Sequence, residues 1–127
     1  MTISSELYKY DLMDHVKNPR NYGLLLRYDF LFQQKNQMCG DVIVVSGIIQ
    51  KGVIQCLTFE GSGCVLSIAM ASKLTEYVRG LVVEKAMLLD EKVVETLLGM
   101  PLGINRMQCG LLSIKALQHG LCALKKG

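Results

Sequence analysis

No stretch of the chain is apolar for long enough to cross a membrane, so a spanning protein is not expected. The segment from Met1 to Val16 mixes Glu6, Lys9, Asp11 and Asp14 with apolar residues and lacks the unbroken apolar centre of a secretory signal. An excess of one charge is missing too. The formal net charge is +3 and the Lys and Arg residues are scattered, which argues against a nucleic-acid partner. Histidine is scarce: His15 and His119 are isolated, and each reads as a surface or capping residue rather than a ligand. Asp14 and His15 are adjacent, and neighbours on a helix point about 100° apart, so they do not read as a catalytic dyad. No internal repeat, linker or second domain is visible. The 127 residues are expected to form one domain, 1–127, large enough to bury a core without disulfides.

Cysteine, by contrast, is present in odd number: Cys39, Cys56, Cys64, Cys109 and Cys122. With no export signal, five thiols predict a reducing compartment, the cytoplasm, where cysteines serve metal or redox chemistry.

Taken in order, Ser4 and Ser5 can cap a first helix whose stripe is Leu7, Tyr10, Leu12, Met13 and Val16, ended by Asn18-Pro19. Asn18 to Gly23 is turn chemistry. A strand is expected within Leu24–Phe32, whereas Gln33–Gln37 is polar and gives no period. Asp41–Gln50 and Val53–Phe59, joined by Lys51-Gly52, predict a β-hairpin. Gly61-Ser62-Gly63 leads through Cys64 into a helix reaching Val78, with Leu66, Ala69, Met70, Leu74 and Tyr77 towards a core. Short helices follow at Val82–Leu89 and Glu91–Leu98, then a loop at Gly99–Asn105 and a last helix from near Cys109. The predicted class is α+β: a small antiparallel sheet of about three strands packed against several helices.

Cys39-Gly40-Asp41 joins the polar loop to an apolar run. In extended backbone, side chains at i and i+2 share a face, so Cys39 and Asp41 could grip one ion. Cys64 and Cys109 are each expected where a loop enters a helix, where unpaired N–H groups favour a thiolate. Arg106 could support the Cys109 thiolate electrostatically. Together Cys39, Asp41, Cys64 and Cys109 make a plausible four-ligand set. Cys56 and Cys122 lack a nearby turn or charge and read as packing.

The stretches Asp14–Gly23, Cys39–Asp41, Phe59–Cys64 and Arg106–Cys109 resemble, in order and spacing, the U-type iron-sulfur cluster assembly scaffolds, the family of IscU, SufU and the N-terminal part of NifU. The resemblance covers nearly the whole chain. It implies an α+β scaffold that takes sulfur from a cysteine desulfurase, builds a 2Fe-2S cluster on Cys39, Cys64 and Cys109, or holds iron or Zn²⁺ there, and passes the cluster to recipient apo-proteins. Asp41 would be the fourth ligand. IscU-like members carry a histidine just before the third cysteine, where this chain has Gln108, whose amide is a poor ligand beside thiolate. Their chaperone-recognition segment is replaced by Leu102–Arg106, which removes the ground for expecting a chaperone partner. Arg106 and the Phe59–Cys64 run are closer to SufU, yet the extra segment that SufU-like chains carry before that arginine is missing. A zinc-dependent sulfurtransferase and a non-catalytic zinc-binding interaction domain are the alternative readings.

Overall fold

Valine and isoleucine between Asp41 and Phe59 build the centre of a sheet, as their alternation predicts. The computed structural model describes residues 5–126. Strands β1 (Phe30–Asn36), β2 (Asp41–Gln50) and β3 (Val53–Ser62) pair antiparallel in that order. Lys51 and Gly52 both take positive φ, 53° and 76°, the two-residue turn whose twist suits a hairpin. Around the sheet lie helices α1 (Ser5–Lys17), α2 (Val65–Tyr77), α3 (Val83–Ala86), α4 (Glu91–Leu98) and α5 (Ile104–Lys126). This is the α+β arrangement expected from the sequence.

The inner face of the sheet carries Asp41, Ile43 and Val45 from β2 and Leu57 and Phe59 from β3, all buried. Strand alternation then fixes what else looks inward. Helix α5 crosses β1 and β2, while α2 packs on β3 and against α5. Met70 and Leu74 of α2 meet Ile114, Leu117 and Leu121 of α5 in a fully buried cluster. No helix among the described residues is long and apolar enough to cross a membrane.

Three expectations need correction. The first strand runs over Phe30–Asn36 rather than within Leu24–Phe32; residues 23–29 instead cross the other face of the sheet, where the Leu25 amide donates to Ser46 Oγ (3.0 Å). In α1, Leu12 and Val16 pack inward, whereas Tyr10 and Met13 are exposed; the proposed Ser4-Ser5 cap and Leu7 lie outside the described side chains. His15 is neither surface nor cap. One turn after Leu12, it is buried against α2 with Nδ1 2.6 Å from Ser72 Oγ. Burial pushes its pKa below the ordinary histidine value, and the cations Arg20 and Lys73 act in the same direction against Asp11 and Glu76.

Candidate metal centre

Asp41 opens β2 directly opposite Asn36, which closes β1. Facing residues of an antiparallel pair share a face, so both side chains are carried under α5 at the edge of the core. Cys64 is the N-cap residue of α2, with φ −73° and ψ 164°, and its own side chain caps nothing. The sheet supplies the missing acceptor. Asp41 Oδ1 accepts the Cys64 N–H at 3.1 Å, and Oδ2 accepts the Ser67 hydroxyl at 2.6 Å. Gly63 makes room for this approach: its φ is +148°, and a Cβ there would stand 2.4 Å from Asp41 Oδ1.

Cys109 completes a cluster. One ligand atom each from Asp41, Cys64 and Cys109 lies within 4.8 Å of the others. Tetrahedral donors at a metal–sulfur distance near 2.3 Å stand about 3.8 Å apart, so an adjustment of roughly an ångström would bring these three around one ion. Two sulfurs and a carboxylate suit zinc or iron far better than calcium or magnesium. Cys39 is outside that three-residue group. It lies exposed in the turn between β1 and β2. Cys56 and Cys122 do not join the cluster among the described residues. Cys56 is half-buried on β3; Cys122, expected to pack, is exposed near the end of α5.

The electrostatics divide the two deep candidate ligands. Burial works to raise the Asp41 pKa, but hydrogen bonds from Ser67, from the thiol and amide of Cys64 and from Cys109 outweigh it and hold the carboxyl below its ordinary value. Cys109 is pushed up to about 12 by burial first, then by Cys64, Asp41 and Cys39 around it. A thiolate poised at a helix start was expected here. That expectation fails because α5 begins at Ile104, which puts Cys109 in the second turn, beyond the unpaired N–H groups. Arg106 is exposed and makes no hydrogen bond or ion pair among the described residues. Gln108 is half-buried, and its Oε1 accepts from Lys115 Nζ at 3.2 Å, so its amide is engaged two turns along α5.

Two residues at the centre were missed in the sequence. Ser67 is buried and touches three of its parts: the Asp41 carboxylate, the Cys64 sulfur at 3.5 Å and the Cys109 carbonyl at 3.3 Å. A hydroxyl three residues into a helix, beside a ligand candidate, was the available signal. Asn36, also buried, donates through Nδ2 to Cys109 Sγ at 3.7 Å. It sits in the polar stretch that gave no period, and nothing local marked it.

Known proteins resemble the chain in sequence and fold. The chain is 31% identical to "Zinc-dependent sulfurtransferase SufU" of Bacillus subtilis, covering 95% of this chain and 93% of that protein. That alignment runs over 138 residues, longer than the 127 of this chain, so the relative carries sequence that this chain lacks. Identity to "Iron-sulfur cluster assembly scaffold protein IscU 1" of Archaeoglobus fulgidus is 30%, over 91% of this chain and 74% of that one. A solved structure described as a hypothetical protein superposes with a TM-score of 0.82 at 26% identity, over 94% of this chain and 99% of that chain. With the NifU-like N terminal domain matching residues 7–126, the chain belongs to that family.

Proposed function

We propose that the protein is an iron-sulfur cluster assembly scaffold, which accepts sulfur from a cysteine desulfurase, carries a 2Fe-2S cluster as cargo on Cys39, Cys64 and Cys109, and yields it to apo-proteins. The observation that carries this reading is the convergence of Asp41, Cys64 and Cys109 from the sheet, the start of α2 and the second turn of α5. Relatives named as scaffolds support it. Cys39 is the one cysteine of the three that is exposed, and is suited to meet the partner's persulfide. Its thiolate attacks the outer sulfur, the partner's S–S bond breaks, and the partner's thiolate leaves. Cys109 is too deep for that first contact. Asp41 is a hard oxygen ligand among sulfurs, the bond most readily exchanged when cargo leaves.

The test is anaerobic reconstitution with ferrous iron and sulfide. Visible sulfur-to-iron absorption that is lost in Cys64→Ser supports the scaffold; a colourless wild-type protein overturns it. A second reading, zinc-dependent sulfurtransfer, is favoured by the relative of that name and by the carboxylate already fixed beside the sulfurs. Bound Zn²⁺ would hold coordinating thiols deprotonated. Acceleration of a desulfurase by the zinc-loaded chain, without colour on reconstitution, would select this reading.

A further inference from the structure

We propose that Asn36 is a positioning residue for the metal centre, donating an N–H···S hydrogen bond that turns the Cys109 sulfur towards Asp41 and Cys64. The proposal rests on the reading of those three residues as metal ligands.

The side-chain amide can be oriented from its two contacts. Its Oδ1 accepts the backbone N–H of Met38 at 3.2 Å. An N–H can only donate, so the atom facing it is the oxygen, and the atom facing Cys109 Sγ at 3.7 Å is Nδ2. Sulfur is therefore the acceptor on that side. The Asn36 main-chain carbonyl also accepts from Cys39 N (3.2 Å) and Gly40 N (2.8 Å). One residue thus shapes the turn that carries Cys39 and holds the sulfur of Cys109. Register supplies the third constraint: Asn36 pairs with Asp41 across β1 and β2, so a donor and a ligand stand side by side beneath α5. With one lone pair of the sulfur taken by Asn36, the others remain for an ion shared with Asp41 and Cys64. An N–H aimed at sulfur fixes the direction of its lone pairs and lowers their energy.

Asn36→Asp separates the two jobs. The carboxylate can still accept from Met38 N, but it has no N–H for the sulfur. Asn36→Ala loses both functions. The probe is Co²⁺ alone, added to the full chain, with sulfur-to-cobalt absorption and competition by a chelator as readouts. The expected result is that both variants bind Co²⁺ about 10-fold or more weakly, in the range typical of lost ligand-supporting contacts, with the absorption moved to longer wavelength. A residue that only shapes the turn would leave Asn36→Asp at the wild-type affinity and wavelength, which overturns the proposal. If circular dichroism shows Asn36→Asp unfolded, the decision passes to Asn36→Ala combined with Cys109→Ser. The effect of Asn36→Ala should then vanish once the sulfur is gone, and an equal effect in both backgrounds overturns the proposal. A wild-type chain with no sulfur-to-cobalt absorption would remove the metal-centre reading and this inference together; a normal wild type beside an unchanged Asn36→Asp removes this inference alone.

Discussion

Helix α2 buries two serines, Ser67 and Ser72, and each meets a titratable side chain from another element. Around Ser72 the polar groups close on one another: its hydroxyl contacts His15 Nδ1 and accepts the Arg20 amide at 2.8 Å, while Thr75 donates to its carbonyl and receives Asn21 Nδ2. Around Ser67 the donors stand on one side. Asp41 accepts the Cys64 amide on Oδ1 and the Ser67 hydroxyl on Oδ2, and its remaining acceptor capacity faces the thiols of Cys64 and Cys109, which give up their protons when they ligate a metal. The first arrangement holds α1 and the following loop against α2. The second leaves lone pairs converging on a common point, which structural hydrogen bonding does not require. Burial of polar groups alone therefore does not mark a functional site; unspent acceptor capacity does.

The widest separation between the two regions should come from crossing their mutations. Cys109→Ser is expected to weaken zinc binding by more than about 100-fold, while the urea midpoint of the metal-free protein moves little, since a small polar group replaces a small buried one. His15→Ala should do the reverse, lowering stability by about 1–3 kcal/mol through lost packing and stranded hydrogen-bond partners with zinc affinity unchanged. Chelator competition and urea unfolding on both variants decide it. A zinc defect in His15→Ala would break the comparison.

Ser67→Ala is the next test in size. It removes the hydroxyl donor to Asp41 Oδ2 and should cost about 10-fold in zinc affinity, in the range for ligand-supporting contacts. Affinity equal to wild type would mean that the Cys64 amide alone orients the carboxylate.

A smaller effect separates the regions by pH. Burial lowers the His15 pKa below the ordinary histidine value of 6.5, so the unfolded chain binds the proton more readily than the folded one. The contribution of neutral His15 is present above the unfolded pKa and is lost as pH falls below about 6.5 towards the folded value. Urea midpoints of the metal-free protein should drop between pH 7 and 5, with a flatter slope in His15→Gln. Parallel slopes would remove His15 from the acid sensitivity.

The smallest change is expected at position 108. Gln108 is engaged with Lys115, and neighbouring helical positions diverge by about 100°. Gln108→His should alter zinc affinity by less than about threefold, a difference below 0.7 kcal/mol by the usual conversion. A larger gain, steepening near the imidazole pKa, would mean that the side chain swings into the centre.

What could be read from the sequence follows from where partners lie. The β2–β3 hairpin and α2 were legible because their apolar residues face a common core and their turns are local. Strand β1 was not, since its inward positions continue from Phe30 and Phe32 to Gln34 and Asn36, and the polar pair meets His119 and Cys109 of α5. Alternation is present there, but it alternates in contacts rather than in hydropathy. The start of α5 was hidden in the same way: Ile104, Asn105 and Arg106 are exposed and show no apolar stripe. Cys64 was found through the glycines before it and Asp41 through its two-residue spacing from Cys39, whereas the depth of Cys109 depends on packing that no local pattern encodes.

The carboxylate that reaches from β2 to the first turn of α2 also bears on the life of the protein in a cell. Its contacts, like those of Cys64 and Cys109, join segments far apart along the chain, so the centre exists only while sheet, α2 and α5 are docked together. Cargo that binds the docked state alone draws the whole chain towards it, by about 2.7 kcal/mol at a hundredfold excess over the dissociation constant. A loaded molecule should therefore resist proteases that cut the transiently opened chain, and an empty one should be degraded sooner. Turnover would then discriminate between carriers at work and carriers left idle, with no dedicated recognition signal.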